Sequence, residues 1–243
     1  MSTLLEKVID GSDKKMNLIC IPYAGGGASM YFPWKNYIRS DVGLYSVQLP
    51  GRENRITDEY YRDIGNAADD ITKEVLDLVN RTTKPICLFG HSMGAKIAFE
   101  VERRLEKEKK PCTRLMVSGS RAPHMPETRP ICGLGDSDFL NELNRFEGTP
   151  SEILNNKEMV RFFMPLLRAD FTMDEQYILQ DKVKLSCPIF AFYGEDDSEA
   201  DGKDMDKWKL YTDTFGIKQF EGKHFFVKTS MESVIEEVNR QLV

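Results

Sequence analysis

The pentapeptide Gly90-His91-Ser92-Met93-Gly94 lies between the apolar run Pro85-Ile86-Cys87-Leu88-Phe89 and the helix-patterned stretch Ala95-Lys96-Ile97-Ala98-Phe99-Glu100-Val101. A G-x-S-x-G pattern in that setting is a sharp strand-to-helix turn, the nucleophile elbow. It lifts a serine hydroxyl clear of its own backbone, and the glycines two residues to either side allow the turn. A buried strand must therefore enter Ser92 and an amphipathic helix must leave it.

The rest of the chain repeats that order. Met16-Asn17-Leu18-Ile19-Cys20-Ile21 reads as a buried strand running into the glycine-rich loop Pro22-Tyr23-Ala24-Gly25-Gly26-Gly27. Leu44 to Leu49 is a second strand stopped by Pro50-Gly51, and Ile71, Val75 and Leu78 then recur at helical spacing. After the elbow and its helix to about Glu108, Arg114 to Gly119 reads as a fourth strand, Pro188 to Tyr193 as a fifth and Ile217 to Phe220 as the last. Val234, Ile235, Val238 and Leu242 mark a closing amphipathic helix. Such alternation predicts an α/β fold, a mostly parallel sheet flanked by helices on both faces, in one domain over residues 1–243. It lapses between Arg121 and Ser186, where Phe139, Leu140, Leu143, Met159, Phe162, Phe163, Leu166 and Leu167 recur in a helical pattern. A helical insertion between late strands predicts a lid, about 121–186, over the carboxyl ends where open sheets bind ligands.

Composition removes several classes of function. With 33 Lys plus Arg against 39 Asp plus Glu, the net charge is −6, which disfavours nucleic acid and anionic membranes. No stretch approaches the roughly 18 apolar residues of a membrane span, and Met1 to Lys15 lacks a signal-peptide core. The five cysteines, Cys20, Cys87, Cys112, Cys132 and Cys187, include no C-x-x-C pair and read as reduced thiols of a cytoplasmic, monomeric protein. Gly25-Gly26-Gly27 lacks the Gly-Lys-Ser/Thr of a phosphate loop, and no His or Cys cluster has metal spacing. Nothing requires a cofactor or a metal.

If Ser92 is a nucleophile it needs an imidazole and an orienting acid. Of the three histidines, His91 is inside the elbow and His124 follows the fourth strand, so His224, after the last strand, alone has the required order and loop position. His91 reads as a packing or hydrogen-bonding residue. The acid is sought in Gly194-Glu195-Asp196-Asp197. Three residues past the glycine selects Asp197, with Asp196 in reserve. The oxyanion of a tetrahedral intermediate needs two backbone donors: the N–H of Met93, after the nucleophile, and one from the loop after the first strand, best Ala24.

These residues resemble the type II thioesterases, stand-alone α/β-hydrolases that accompany non-ribosomal peptide and polyketide synthases. Beyond the elbow, the resemblance rests on Ile21-Pro22-Tyr23-Ala24-Gly25-Gly26, Gln48-Leu49-Pro50-Gly51-Arg52-Glu53-Asn54-Arg55, Leu167-Arg168-Ala169-Asp170-Phe171, Tyr193 to Asp197 and Gly222-Lys223-His224-Phe225-Phe226. It implies a lid and an acyl or aminoacyl thioester delivered on the phosphopantetheine arm of an acyl- or peptidyl-carrier protein, with stalled or misprimed groups cleared by hydrolysis. Insertion residues together with Met93 are expected to line the acyl site, and Arg52, Arg55, Arg121, Arg129 and Arg168 are candidates for contact with acidic carriers. The competing readings are a serine esterase on small esters or acyl-CoA, and a non-catalytic protein that docks on a synthase.

Overall fold

The computed structural model describes residues 4–146 and 156–242. Seven strands form one sheet in the order β1-β3-β2-β4-β5-β6-β7. They are β1 (Leu5–Ile9), β2 (Met16–Ile21), β3 (Val42–Val47), β4 (Ile86–His91), β5 (Arg114–Ser118), β6 (Ile189–Gly194) and β7 (Phe215–Phe220). From β3 to β7 every neighbouring pair is parallel, and β1 joins the edge antiparallel to β3, with Leu5 opposite Val47. The apolar runs at β2, β3 and β4 have every residue buried, as strands covered on both faces must. Strand β1 was not anticipated: its Glu6 and Lys7 break the apolar pattern, as charges commonly do on an edge strand.

The period of two divides the core between the two faces. Ile19, Ile21, Leu88, Leu115, Val117, Ile189 and Ala191 point to one face and pack against Ile71, Val75 and Leu78 of α1 (Ile64–Thr82) and Ile97, Val101 and Leu105 of α2 (Met93–Lys107). Leu18, Cys20, Cys87, Phe89, Met116 and Phe192 point to the other, against Tyr31 and Trp34 of the 3₁₀ segment Ala28–Asn36 and against Val234, Ile235 and Val238 near the C-terminus. Helix α1 begins at Asp63, whose carboxylate accepts the Asn66 N–H, so the first turn is capped by its own side chain.

Between β5 and β6 lie α3 (Asp136–Phe146) and α4 (Lys157–Gln176). They share a small core of their own, in which Ile131, Phe139, Leu143, Met164 and Phe171 are buried. Residues 147–155 of the insertion lie outside the described residues. The chain then adds α5 (Gly202–Asp206), α6 (Phe226–Thr229) and α7 (Met231–Gln241).

At the elbow, Ser92 has φ 55° and ψ −123°, a conformation that strains a residue with a Cβ. The flanking glycines serve close approach. A Cβ on Gly90 would lie 2.1 Å from the Gly94 carbonyl oxygen, and one on Gly94 would lie 2.2 Å from that of Ile21. Backbone meets backbone at both positions, and neither can yield. Gly90→Ala or Gly94→Ala is expected to cost about 3 kcal/mol, the upper end of the range for overpacking. Gly133→Ala, with no atom within 4 Å of the new methyl, should stay within about 0.5 kcal/mol of wild type in urea unfolding.

Candidate active site

The loops that leave β2, β3, β4, β6 and β7 converge at the carboxyl edge of the sheet, where open parallel sheets place their ligand sites. Ser92 follows β4, Asp197 sits on the turn after β6, and His224 lies four residues past β7. His224 Nε2 is 3.1 Å from Ser92 Oγ, and His224 Nδ1 is 3.0 Å from Asp197 Oδ2 and 3.2 Å from Oδ1. Asp197 and His224 are buried, whereas Ser92 is half-buried and reachable from the cavity described below. Asp197 Oδ1 also accepts the N–H groups of Glu199 (2.8 Å) and Ala200 (3.3 Å), so the carboxylate is fixed from behind. Asp196, the reserve acid, is exposed, and its backbone N–H donates to the Gly222 carbonyl, 3.0 Å away.

The other two histidines are engaged elsewhere. His91 is fully buried with Nδ1 2.9 Å from Ser118 Oγ, and His124 Nδ1 is 2.8 Å from the Tyr211 hydroxyl. Burial, helped by the charges of His224 and Lys228, holds His91 well below 6.5. For His224 burial also favours the neutral ring, but the charge and hydrogen bond of Asp197, with Glu199 and Asp174 nearby, outweigh it and raise the imidazole above 6.5.

Ser92 and His224 open into a cavity of about 400 Å³. The insertion supplies its apolar wall: Leu143 and Phe146 from α3, and Phe163, Leu166, Leu167 and Phe171 from α4. Tyr23, Ala24 and Gly25 form the wall beside β2, and Phe225 and Lys228 the side near the C-terminus. The Met93 side chain is packed in the sheet core under α2 and does not line this space, contrary to expectation, because the first residue of α2 turns its side chain inward. Its N–H, in the first turn of the helix, has no carbonyl of its own helix to bond. Tyr23 to Gly26 form a turn closed by the Gly26 N–H on the Tyr23 carbonyl at 2.9 Å, with Gly25 at φ 78° in the third position that only glycine readily fills. A recess of about 30 Å³ beside Ser92 is polar, lined by Lys96, Glu127, Asp174 and Glu199 among others.

Most of the arginines offered for docking are occupied by carboxylates. Arg52 is buried on Asp170, Arg121 is buried on Glu127 and Asp204, Arg55 pairs with Asp58, and Arg168 pairs with Asp136. Arg129 is exposed and lies 3.6 Å from Glu142. Among the described residues all five cysteines are free thiols, four of them buried. Glu102, Cys112 and Cys187 bring one potential ligand atom each within 4.8 Å of one another. They lie at the end of the sheet where β5 and β6 begin, opposite Ser92. Burial pushes the Glu102 carboxyl up to about 7, and it accepts the Cys112 N–H at 3.0 Å. No sequence spacing could have disclosed this group, because its members come from α2 and from two separate loops.

The sheet order, the elbow and the converging loops define an α/β-hydrolase. Residues 16–242 match the Thioesterase domain family. The chain is 35% identical over 234 residues to the gramicidin S biosynthesis protein GrsT of Aneurinibacillus migulanus, covering 95% of this chain and 90% of that one. Among solved structures it superposes on YbtT, a type II thioesterase from the yersiniabactin NRPS/PKS biosynthetic pathway, with a TM-score of 0.90, 30% identity and coverage of 98% and 97%. BorB, the type II thioesterase of the borrelidin biosynthetic cluster, gives a TM-score of 0.87 at 29% identity over the full length of both chains. The chain belongs to the thioesterase family, as a type II thioesterase of non-ribosomal peptide and polyketide pathways. No helix among the described residues is long and apolar enough to cross a membrane.

In an NMR titration the His224 ring is expected to show a midpoint above 6.5 while His91 remains neutral through the range of about pH 6 to 8. Asp197→Asn removes the charge that raises His224 and should lower its midpoint relative to wild type.

Proposed function

We propose that Ser92, His224 and Asp197 are the catalytic triad of a carrier-protein thioesterase. The observation that carries this reading is the continuous hydrogen-bonded line from Ser92 Oγ through both nitrogens of His224 to a buried carboxylate, opening into an apolar cavity. Ser92 attacks the thioester carbonyl as His224 Nε2 takes its proton, and the protonated imidazole then returns that proton to the departing phosphopantetheine thiol. Asp197 holds Nδ1 protonated and stabilises the imidazolium without itself taking the proton. The N–H groups of Met93 and Ala24 are the donors to the oxyanion. Water then attacks the acyl-enzyme with His224 again as base, the Ser92 Oγ–acyl bond breaks to release the carboxylic acid, and His224 returns the proton to Ser92 Oγ. The polar recess beside Ser92 is large enough to admit water and is lined by charged groups that could hold it.

The walls of α3 and α4 act as the lid and the acyl pocket. Leucine and phenylalanine recognise hydrocarbon by burial alone, which discriminates by only about 1–3 kcal/mol per methylene and suits removal of varied acyl groups. Names of the relatives point to assembly-line pathways, so the substrates are acyl or aminoacyl groups on carrier phosphopantetheine, cleared when they stall. The enzyme acts as a cytoplasmic monomer, where its free thiols stay reduced.

The test is intact-mass analysis of acetyl- and aminoacyl-loaded carrier proteins with wild type and Ser92→Ala. Wild type should remove the acyl mass, and Ser92→Ala should be slower by about 10⁴ to 10⁶. Persistence of the acyl group with both, while a free short ester is cleaved, would replace this reading with that of a general esterase. Because His224 must be neutral to act as base and its pKa is raised, kcat/KM should climb with pH on a limb centred above 6.5.

A further inference from the structure

Asp170 plays no part in the chemistry above, yet its side chain is only 1% exposed and it meets an Arg52 that is 5% exposed. The contact is two-pronged: Arg52 Nη1 donates to Asp170 Oδ2 at 2.7 Å and Nη2 to Oδ1 at 2.9 Å. Both partners then reach the turn after β2. Asp170 Oδ2 accepts the Gly25 N–H at 2.7 Å, and Arg52 Nη1 donates to the Gly26 carbonyl at 3.0 Å. Together with the bond from Gly26 to Tyr23 that closes the turn, these contacts hold both peptides that flank Ala24, one by its Tyr23 carbonyl and the other by its Gly25 N–H. Gln48 supports the pair from below, donating to the Arg52 carbonyl at 3.1 Å and accepting the Ala28 N–H at 2.9 Å.

A buried ion pair is a poor device for stability alone, since well-packed apolar residues often replace one at no loss. What apolar residues could not supply is a grip on the Gly25 N–H. We propose that Arg52 and Asp170 are positioning residues for thioester hydrolysis: they fix the turn that presents the Ala24 N–H to the developing oxyanion. Asp170 belongs to α4, so the same pair ties the turn to the helix that walls the cavity. This inference rests on the assignment of Ser92 as nucleophile and Ala24 as oxyanion donor.

The experiment compares Asp170→Asn with the double variant Asp170→Leu/Arg52→Met. Active sites are counted by fluorophosphonate titration, and kcat and KM are measured on an acyl-loaded carrier protein. The asparagine keeps an oxygen for the Gly25 N–H but leaves Arg52 buried without a counter-charge, so it is the less stable of the two. The double variant removes both charges and the grip. Activity is expected in the reverse order of stability. Per titrated site, kcat should fall about tenfold in Asp170→Asn and about 10²-fold in the double variant, approaching the loss of one oxyanion donor, with KM little changed. Affinity for an acyl trifluoromethyl ketone, which forms an anionic adduct on Ser92, should fall in parallel with kcat/KM. An unchanged kcat per site, a rise in KM alone, or activity that follows stability would overturn the proposal. If the double variant does not fold, the kcat and KM split and the ketone affinity of Asp170→Asn decide the matter alone. Ser92→Ala in the same assay separates the two failures: if it retains turnover, the reading of the site falls, and if it is inactive while Asp170→Asn matches wild type, only the positioning role falls.

Discussion

Helix α2 lies so close to strand β2 that no methyl group fits between Gly94 and the carbonyls of Ile21 and Pro22. This contact is where the remainder of the molecule takes its reference. It forces the chain to turn within one residue, sets Ser92 at positive φ, and leaves the N–H groups at the start of α2 facing the edge of the sheet. Once Ser92 is so placed, the parallel register of β4, β5, β6 and β7 carries the Asp197 turn and the His224 loop to the same edge. The short turn after β6 and the short loop after β7 then bring Asp197 and His224 into line with Ser92.

Electrostatics at that edge is a contest between burial and charge. His91 and His224 are both buried with ring centroids 5.2 Å apart, yet they are driven in opposite directions. His91 has a neutral hydroxyl for a partner and is held below its ordinary range, whereas His224 has a carboxylate and is held above it. The separation leaves a single titrating imidazole next to Ser92, because a second cation so close would undo the effect of Asp197. Asp197, itself fixed by the N–H groups of Glu199 and Ala200, does most to raise the ring, and the carboxylates of Glu199 and Asp174 add to it.

Much of this was legible in the residues. Apolar runs located six of the seven strands because the central parallel strands are covered on both faces, so polar residues such as Asn17 are few in them. Chain order and a shortage of histidines led to Ser92, Asp197 and His224 as the group to inspect, and these are the residues found together. Other features were hidden for physical reasons. Strand β1 has charges where a period-two pattern would need apolar residues, since an edge strand has a face in water. Arg52 looked like a surface cation, because nothing in Pro50-Gly51-Arg52 tells of an Asp far along the chain. Met93 looked like a pocket residue, and only the direction of the first turn of α2 showed that it belongs to the core. In each case what decided the outcome was a partner distant in sequence.

Helix α4 contains Pro165, which withdraws one N–H from its hydrogen-bond ladder. On the C-terminal side, Asp170 and Asp174 stand one turn apart on one face and are tied to Arg52 and to Lys96 of α2. On the N-terminal side the helix rests on Val160 and Met164, while Met159 and Phe162 face outward. The C-terminal stretch of the helix is thus anchored by charge as well as by the packing of Phe171, and the N-terminal stretch by the packing of Val160 and Met164. Of the apolar α4 residues that wall the cavity, Leu166, Leu167 and Phe171 follow Pro165 and Phe163 precedes it, so most of that wall is carried by the same stretch that Arg52 and Lys96 hold in place.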